Sequence, residues 1–115
     1  MNSLFICTNN EIRSPTAERV FKEILKERKL SGKVKSAGVA PDAPNRITYD
    51  LLQWANKIFC MEEEHKLYIL YLYPELEKKV VVLNILDIYP KNDPELVRVL
   101  KSKLKEYVQS NQQSL

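Results

Sequence analysis

Glycine occurs only twice in the 115-residue chain, as Gly32 and Gly38, so most tight turns must be made by other residues. Cysteine also occurs twice, as Cys7 and Cys60, too few for a disulfide framework in a chain this long. Histidine occurs once, as His65; beside Glu62, Glu63 and Glu64 it could suggest a metal site, but nothing else supplies ligand spacing, and none is expected. The most apolar late run, "LYILYLYP", is far too short to span a bilayer. The net charge of +3 lacks the clustered basicity of a nucleic-acid binder, although it suits anionic substrates. Repeats and internal linkers are absent. Met1 leads straight into a strand pattern with no charged n-region, so no signal peptide is expected. The expected compartment is the thiol-keeping cytoplasm.

What is present is one domain's worth of ordinary globular sequence, 44% hydrophobic and 29% charged. A chain of this length buries roughly two-thirds of its unfolded surface, enough for one core. Apolar runs alternate with helical periods. "SLFIC" (3–7) reads as a buried strand. A helix comes next, to about Lys29, with Ser14 as its N-cap and Pro15 in its first position. "GKVKSAG" alternates like an edge strand, and "VAPDAPNRI" is a proline-rich loop. Residues 48–57 form a second helix capped by Thr48, and "KIFCM" (57–61) a third strand. "EEEHKLYILYLYP" is a helix whose leading glutamates suit its positive end. "KVVVLNIL" (79–86) reads as a strand buried on both faces. Asp93 caps, and Pro94 opens, a last amphipathic helix, leaving residues 110–115 as a polar tail behind a domain of residues 1–109.

Strand–helix–strand alternation predicts a three-layer α/β/α fold with a four-stranded parallel sheet, ordered 2-1-3-4. Ligands in such sheets sit beyond the carboxyl ends of the strands. Cys7, Met61 and Asp87 all fall there, so the loop opening at Cys7 is expected to be a site.

That loop reads Cys7, Thr8, Asn9, Asn10, Glu11, Ile12, Arg13, Ser14. Backbone N–H groups wrapping from a strand end to a helix start can converge on an anion. Arg13 offers a planar fork that matches two phosphate oxygens. Helix ends and guanidinium groups both favour a thiolate, so cradle plus cysteine means a nucleophile aimed at phosphorus. Asn9 and Asn10 are the residues best able to replace glycine in a left-handed turn. The Asn10 amide can brace the loop, and the Ser14 hydroxyl can donate to the thiolate.

"LFICTNNEIRSPTAERVF" resembles the amino-terminal signature of low-molecular-weight protein tyrosine phosphatases, Cys-x5-Arg-Ser-Pro followed by Ala-Glu. The similarity continues through "SAG" (36–38), "IFCMEEEH" (58–65) and "DIY" (87–89), as a short member with a variant loop. The resemblance implies a phosphate monoester hydrolase, a tyrosine phosphatase, working through a phosphocysteine intermediate without metal or cofactor. It implies that Cys7 attacks phosphorus and Arg13 binds the equatorial oxygens. Asp87 protonates the leaving oxygen and then activates water, and Tyr89 flanks the substrate ring or is a half-buried loop aromatic. Strand ends two places apart stand about 10 Å from each other, a gap a phosphate ester can bridge. Asp93 is the fallback acid, although an N-cap explains it better.

The implied partner is a phosphorylated protein or a small phosphate monoester. Membrane and nucleic acid are not expected, and the chain is expected to be a monomer or weak homodimer. Where the family loop carries a glycine and a second cysteine, this chain has Asn9 and Ile12, and Glu11 adds a negative charge. Two alternatives stand beside the enzyme: a non-catalytic phosphate-binding module, and an arsenate reductase-like thiol enzyme relying on Cys60. Cys60 reads as core packing, with a Cys7–Cys60 disulfide as the other reading. His65 reads as solvated, Trp54 as core, the lysines of the last helix as its wet face, and Tyr68, Tyr71 and Tyr73 as core or a self-association patch.

Overall fold

The computed structural model describes residues 1–113. Four parallel strands, β1 (Asn2–Cys7), β2 (Lys33–Gly38), β3 (Lys57–Cys60) and β4 (Val80–Val82), form one sheet in the order β2-β1-β3-β4. Four helices connect and cover them: α1 (Arg13–Glu27), α2 (Tyr49–Trp54), α3 (Glu63–Leu72) and α4 (Pro94–Gln113). The three-layer α/β/α arrangement and the strand order are those the sequence predicts.

The strand pleat divides the core in two. Phe5, Cys7, Phe59 and Met61 face α1 and α4, while Leu4, Ile6, Ile58 and Cys60 face α2 and α3. On the first face Phe5 stacks on Phe59 at 4.9 Å between centroids, and Phe21 from α1 meets Phe5 edge-on at 5.6 Å. Rings so arranged add about 0.5–1.5 kcal/mol per pair beyond the area they bury.

Four local readings differ from expectation. Ser14 is not the N-cap of α1: its hydroxyl is turned inward to the loop, and the position falls to Ile12, whose hydrocarbon side chain has no oxygen to cap with. β4 stops after three residues instead of running 79–86, and as an edge strand it is only part-buried. The cause is Asn84, which sits at φ 59° and bends the chain out of extension. Leu83 and Ile85 still donate to the carbonyls of Cys60 and Met61, and Lys103 Nζ donates to the Leu83 carbonyl at 2.6 Å. The chain therefore stays against β3 while turning toward the opening loop. The run expected as helix through Pro74 stops as α3 at Leu72, and Pro74 opens a 3-10 turn to Lys79. Finally, α4 continues through Gln113, beyond its apolar period, so most of the segment expected as a tail is helix; Ser114 and Leu115 lie outside the described residues.

Asp93 caps α4 as expected, its carboxylate accepting from Glu95 N–H at 2.9 Å. Thr48 caps α2 in the same manner, accepting from Leu51 N–H at 3.1 Å.

Candidate active site

β1 delivers Cys7 to the carboxyl edge of the sheet, and the chain wraps from there to α1 in a tight loop. Asn10 makes the turn at φ 54°, in the region where asparagine replaces glycine at least cost. Its buried side-chain amide donates to Ser14 Oγ at 2.9 Å and to Ser36 Oγ at 3.0 Å, and Ser36 donates onward to Glu18 at 2.7 Å. The loop is thus pinned at once to its own helix and to β2.

Cys7 Sγ lies at the base of this wrap. Asn10 N–H donates to it at 3.2 Å, and Ser14 Oγ stands 3.0 Å away. The Asn10 N–H thus points at the sulfur, and the Ser14 hydroxyl lies within reach to give it a second hydrogen bond. Above it is a cavity of about 40 Å³ lined by Cys7, Thr8, Asn9, Glu11, Ile12, Arg13 and Asp87. A larger hollow of about 510 Å³ opens beside Lys35, Ser36 and Arg46, and none of Cys7, Arg13 and Asp87 lines it.

β2 supports the loop by close approach. Val39 N–H donates to the Cys7 carbonyl at 3.1 Å and Ala40 N–H to the Thr8 carbonyl at 2.9 Å. A Cβ at Gly38 would stand 2.6 Å from the Thr8 carbonyl oxygen and 3.0 Å from Asn10 N, so only glycine allows the two segments to meet.

Arg13 is 3% exposed and held from behind. One guanidinium nitrogen donates to the Ile85 carbonyl at 2.7 Å, just past the bend at Asn84, and the same nitrogen forms an ion pair with Glu62. Asp87 reaches the other side, its carboxylate 3.7 Å from Arg13 Nε, with 64% of its side chain exposed. The structure therefore brings Cys7, Arg13 and Asp87 to one small cavity. It leaves Glu11 exposed at the rim. Tyr89 is half-buried against the α1/α4 core, and the exposed side chains beside Asp87 are Leu86 and Ile88.

Two residues of the site were not foreseen. His65 is not solvated: it is 1% exposed, with Nε2 2.9 Å from Thr8 Oγ1 and Nδ1 accepting from Glu62 N–H at 3.0 Å. Burial, followed by the Arg13 charge, lowers its pKa below the ordinary histidine value. Glu62 is the second, as partner of Arg13. Glu62, Glu64 and His65 could by their spacing hold a metal, but the first is taken by Arg13 and the ring by Thr8.

Cys60 pairs in register with Ile6 and faces away from Cys7, so the strand pleat forbids a bond between them. Burial pushes its thiol up to about 12. The same geometry removes the arsenate reductase reading that relied on Cys60.

The site and the sheet together define a phosphatase built on a cysteine and an arginine in one phosphate loop. Residues 2–57 match the family of low molecular weight phosphotyrosine protein phosphatases. The chain is 26% identical to the protein-arginine-phosphatase of Bacillus subtilis strain 168, over 92% of this chain and 96% of that protein. The solution structure of a low molecular weight protein tyrosine phosphatase from Bacillus subtilis superposes with a TM-score of 0.77 at 25% identity, covering 97% of this chain and 99% of that one. The tyrosine phosphatase Wzb from Escherichia coli K30, solved in complex with phosphate, gives 0.78 at 25% identity, with 95% and 96% covered. The chain is thus similar to the low-molecular-weight phosphotyrosine protein phosphatases, through its residues 2–57 in sequence and through nearly its whole length in fold. The relatives it matches are phosphatases, and this chain shares their fold and carries Cys7 and Arg13 in one loop. Among the described residues, no helix is long and apolar enough to cross a membrane.

Proposed function

We propose that the chain removes phosphate from phosphorylated protein side chains, with Cys7 as nucleophile, Arg13 as oxyanion clamp and Asp87 as general acid and then base. The observation that carries this reading is the shared cavity of Cys7, Arg13 and Asp87 at the mouth of a loop braced from every side. In the first step the Cys7 sulfur bonds to phosphorus while the bond from phosphorus to the leaving atom breaks, and Asp87 passes its proton to that atom. In the second, Asp87 takes a proton from water as the water oxygen attacks phosphorus, releasing inorganic phosphate and the thiolate. One Arg13 nitrogen is held by Glu62 and Ile85, and the other edge of the guanidinium, where Asp87 stands 3.7 Å from Nε, is the one that grips two equatorial oxygens. Glu11 at the rim is exposed and solvated, which leaves the cradle itself for the anion.

Tyrosine phosphate is the first substrate reading, as the family signature implies. Phosphoarginine is the second. Its support is the pair of exposed carboxylates at the rim, Glu11 and Asp87, which favour a cationic group on phosphorus, together with the activity named for the Bacillus subtilis relative. Hydrolysis of p-nitrophenyl phosphate by wild type, Cys7→Ser and Asp87→Asn, with EDTA present, tests the chemistry. Turnover should vanish with Cys7→Ser and fall about 10²–10⁴-fold with Asp87→Asn. A wild type that binds phosphate without turnover would leave only a binding cradle. Competition between phosphotyrosine and phosphoarginine peptides, read as the ratio of kcat/KM, decides the substrate.

A further inference from the structure

His65 and Glu62 grip the phosphate loop at two points, and each depends on the other. The His65 ring reaches Thr8, the residue after the nucleophile, while the Glu62 carboxylate reaches Arg13 at the loop's far end. Between them they form a reciprocal cap on α3. Glu62 N–H donates to His65 Nδ1 at 3.0 Å, and the Glu62 side chain accepts from the His65 backbone N–H. Both ends of the loop therefore hang on the first turn of one helix.

The hydrogen bonds fix the tautomer. Nδ1 accepts from a backbone N–H and so carries no proton, which places the ring's one proton on Nε2, where it donates to Thr8 Oγ1. A doubly protonated ring would set its Nδ1–H against the Glu62 N–H, donor facing donor. The charged groups around the ring pull in both directions. Arg13 from α1 opposes a second positive charge, while Glu64 (3.8 Å from Nε2), Glu62 and Asp87 favour one. An imidazolium would turn toward Glu64 and away from Thr8.

We propose that His65 is a positioning residue for the phosphate loop, and that only its neutral, Nε2-protonated form holds Thr8 and Glu62 together, so that acid releases both ends of the loop. The inference rests on the phosphatase reading for its effect on turnover, but its geometry stands without it. Burial and Arg13 keep the ring neutral to a lower pH than a free histidine, so the latch is closed at neutral pH.

Three variants separate the contacts. His65→Gln keeps a neutral donor toward Thr8 at every pH, His65→Asn keeps an acceptor for Glu62 N–H but does not reach Thr8, and Thr8→Val removes the hydroxyl. The first measurement is a long-range proton–nitrogen spectrum of the wild-type ring. It should show the Nε2-protonated tautomer at neutral pH, and the Nδ1-protonated form would overturn the proposal. The second is affinity for tungstate, a non-hydrolysable oxyanion, from pH 8 to 5. Wild type should weaken about tenfold over the ring's own titration, as happens when a positioned donor set is lost, whereas His65→Gln should show a flatter curve. Thr8→Val and His65→Asn should bind weakly throughout. Parallel curves for wild type and His65→Gln would reject the latch, even if the enzyme proved to turn over no ester. Where turnover is measured, the acid limb of kcat/KM should lose one ionisation in His65→Gln, and an unchanged limb with only a lowered Tm would leave His65 a mere packing residue.

Discussion

At the scale of single residues, the site depends on two that contribute almost no chemistry. Asn10 supplies the left-handed turn, and Gly38 supplies the absence of a side chain where β2 meets the loop. Gly38→Ala would place a methyl group against backbone atoms, which cannot swing aside as a flexible side chain can. The loop itself must shift, and a misplacement on the order of 1 Å costs about 10²-fold in rate. Steady-state kinetics with a thermal melt should therefore show kcat/KM falling by roughly that factor while the fold persists; an unchanged kcat/KM would mean that the approach is not tight. Asn10 was legible in the sequence because an asparagine pair in a glycine-free turn has a short list of explanations. His65 was not, because its partner Thr8 lies 57 positions away and only the parallel pairing of β1 with β3 brings them together. A lone histidine at an acidic helix start carries no local mark of burial.

Among the elements, the opening strand and the starts of α2 and α4 were legible from period and capping chemistry, and the strand order was expected from the strand–helix alternation. β4 was not, because a run of valines and leucines reads as one strand and the bend at Asn84 is hidden inside it. That bend serves the site: it turns the Ile85 carbonyl onto Arg13 and carries Asp87 to the cavity. Asn84→Val puts a β-branched side chain at a positive φ and should cost about 1–3 kcal/mol in urea unfolding. Asn84→Gly should be tolerated within about 1 kcal/mol, since glycine accepts the same backbone. Equal losses from both would show that the asparagine side chain, not its backbone angle, is what matters. Ser14 illustrates the converse error. Serine before proline at a helix start reads as a cap, but the hydroxyl is drawn inward by Cys7 and Asn10, and function overrides the helix-end preference.

For the molecule as a whole, the buried neutral histidine ties stability to acidity. The folded chain holds His65 with a pKa below that of the unfolded chain, about 6.5. The unfolded state thus binds more protons between those two values, and the contribution, full above about pH 6.5, is lost as pH falls through the lower one. Melts from pH 8 to 5 should show wild type losing more stability on acidification than His65→Gln; a difference between the two that does not vary with pH would count against this linkage. The two-sided sheet has another effect on the whole molecule. With Cys60 on the far face and Ile12 in the loop, an oxidised Cys7 has no internal thiol with which to condense. Peroxide should therefore add oxygen to the protein without the loss of two hydrogens that marks an internal disulfide, and intact-mass spectrometry reads the difference. Recovery then falls to small thiols from outside, so the enzyme's working lifetime under oxidative stress is set by its surroundings and not by its own sequence.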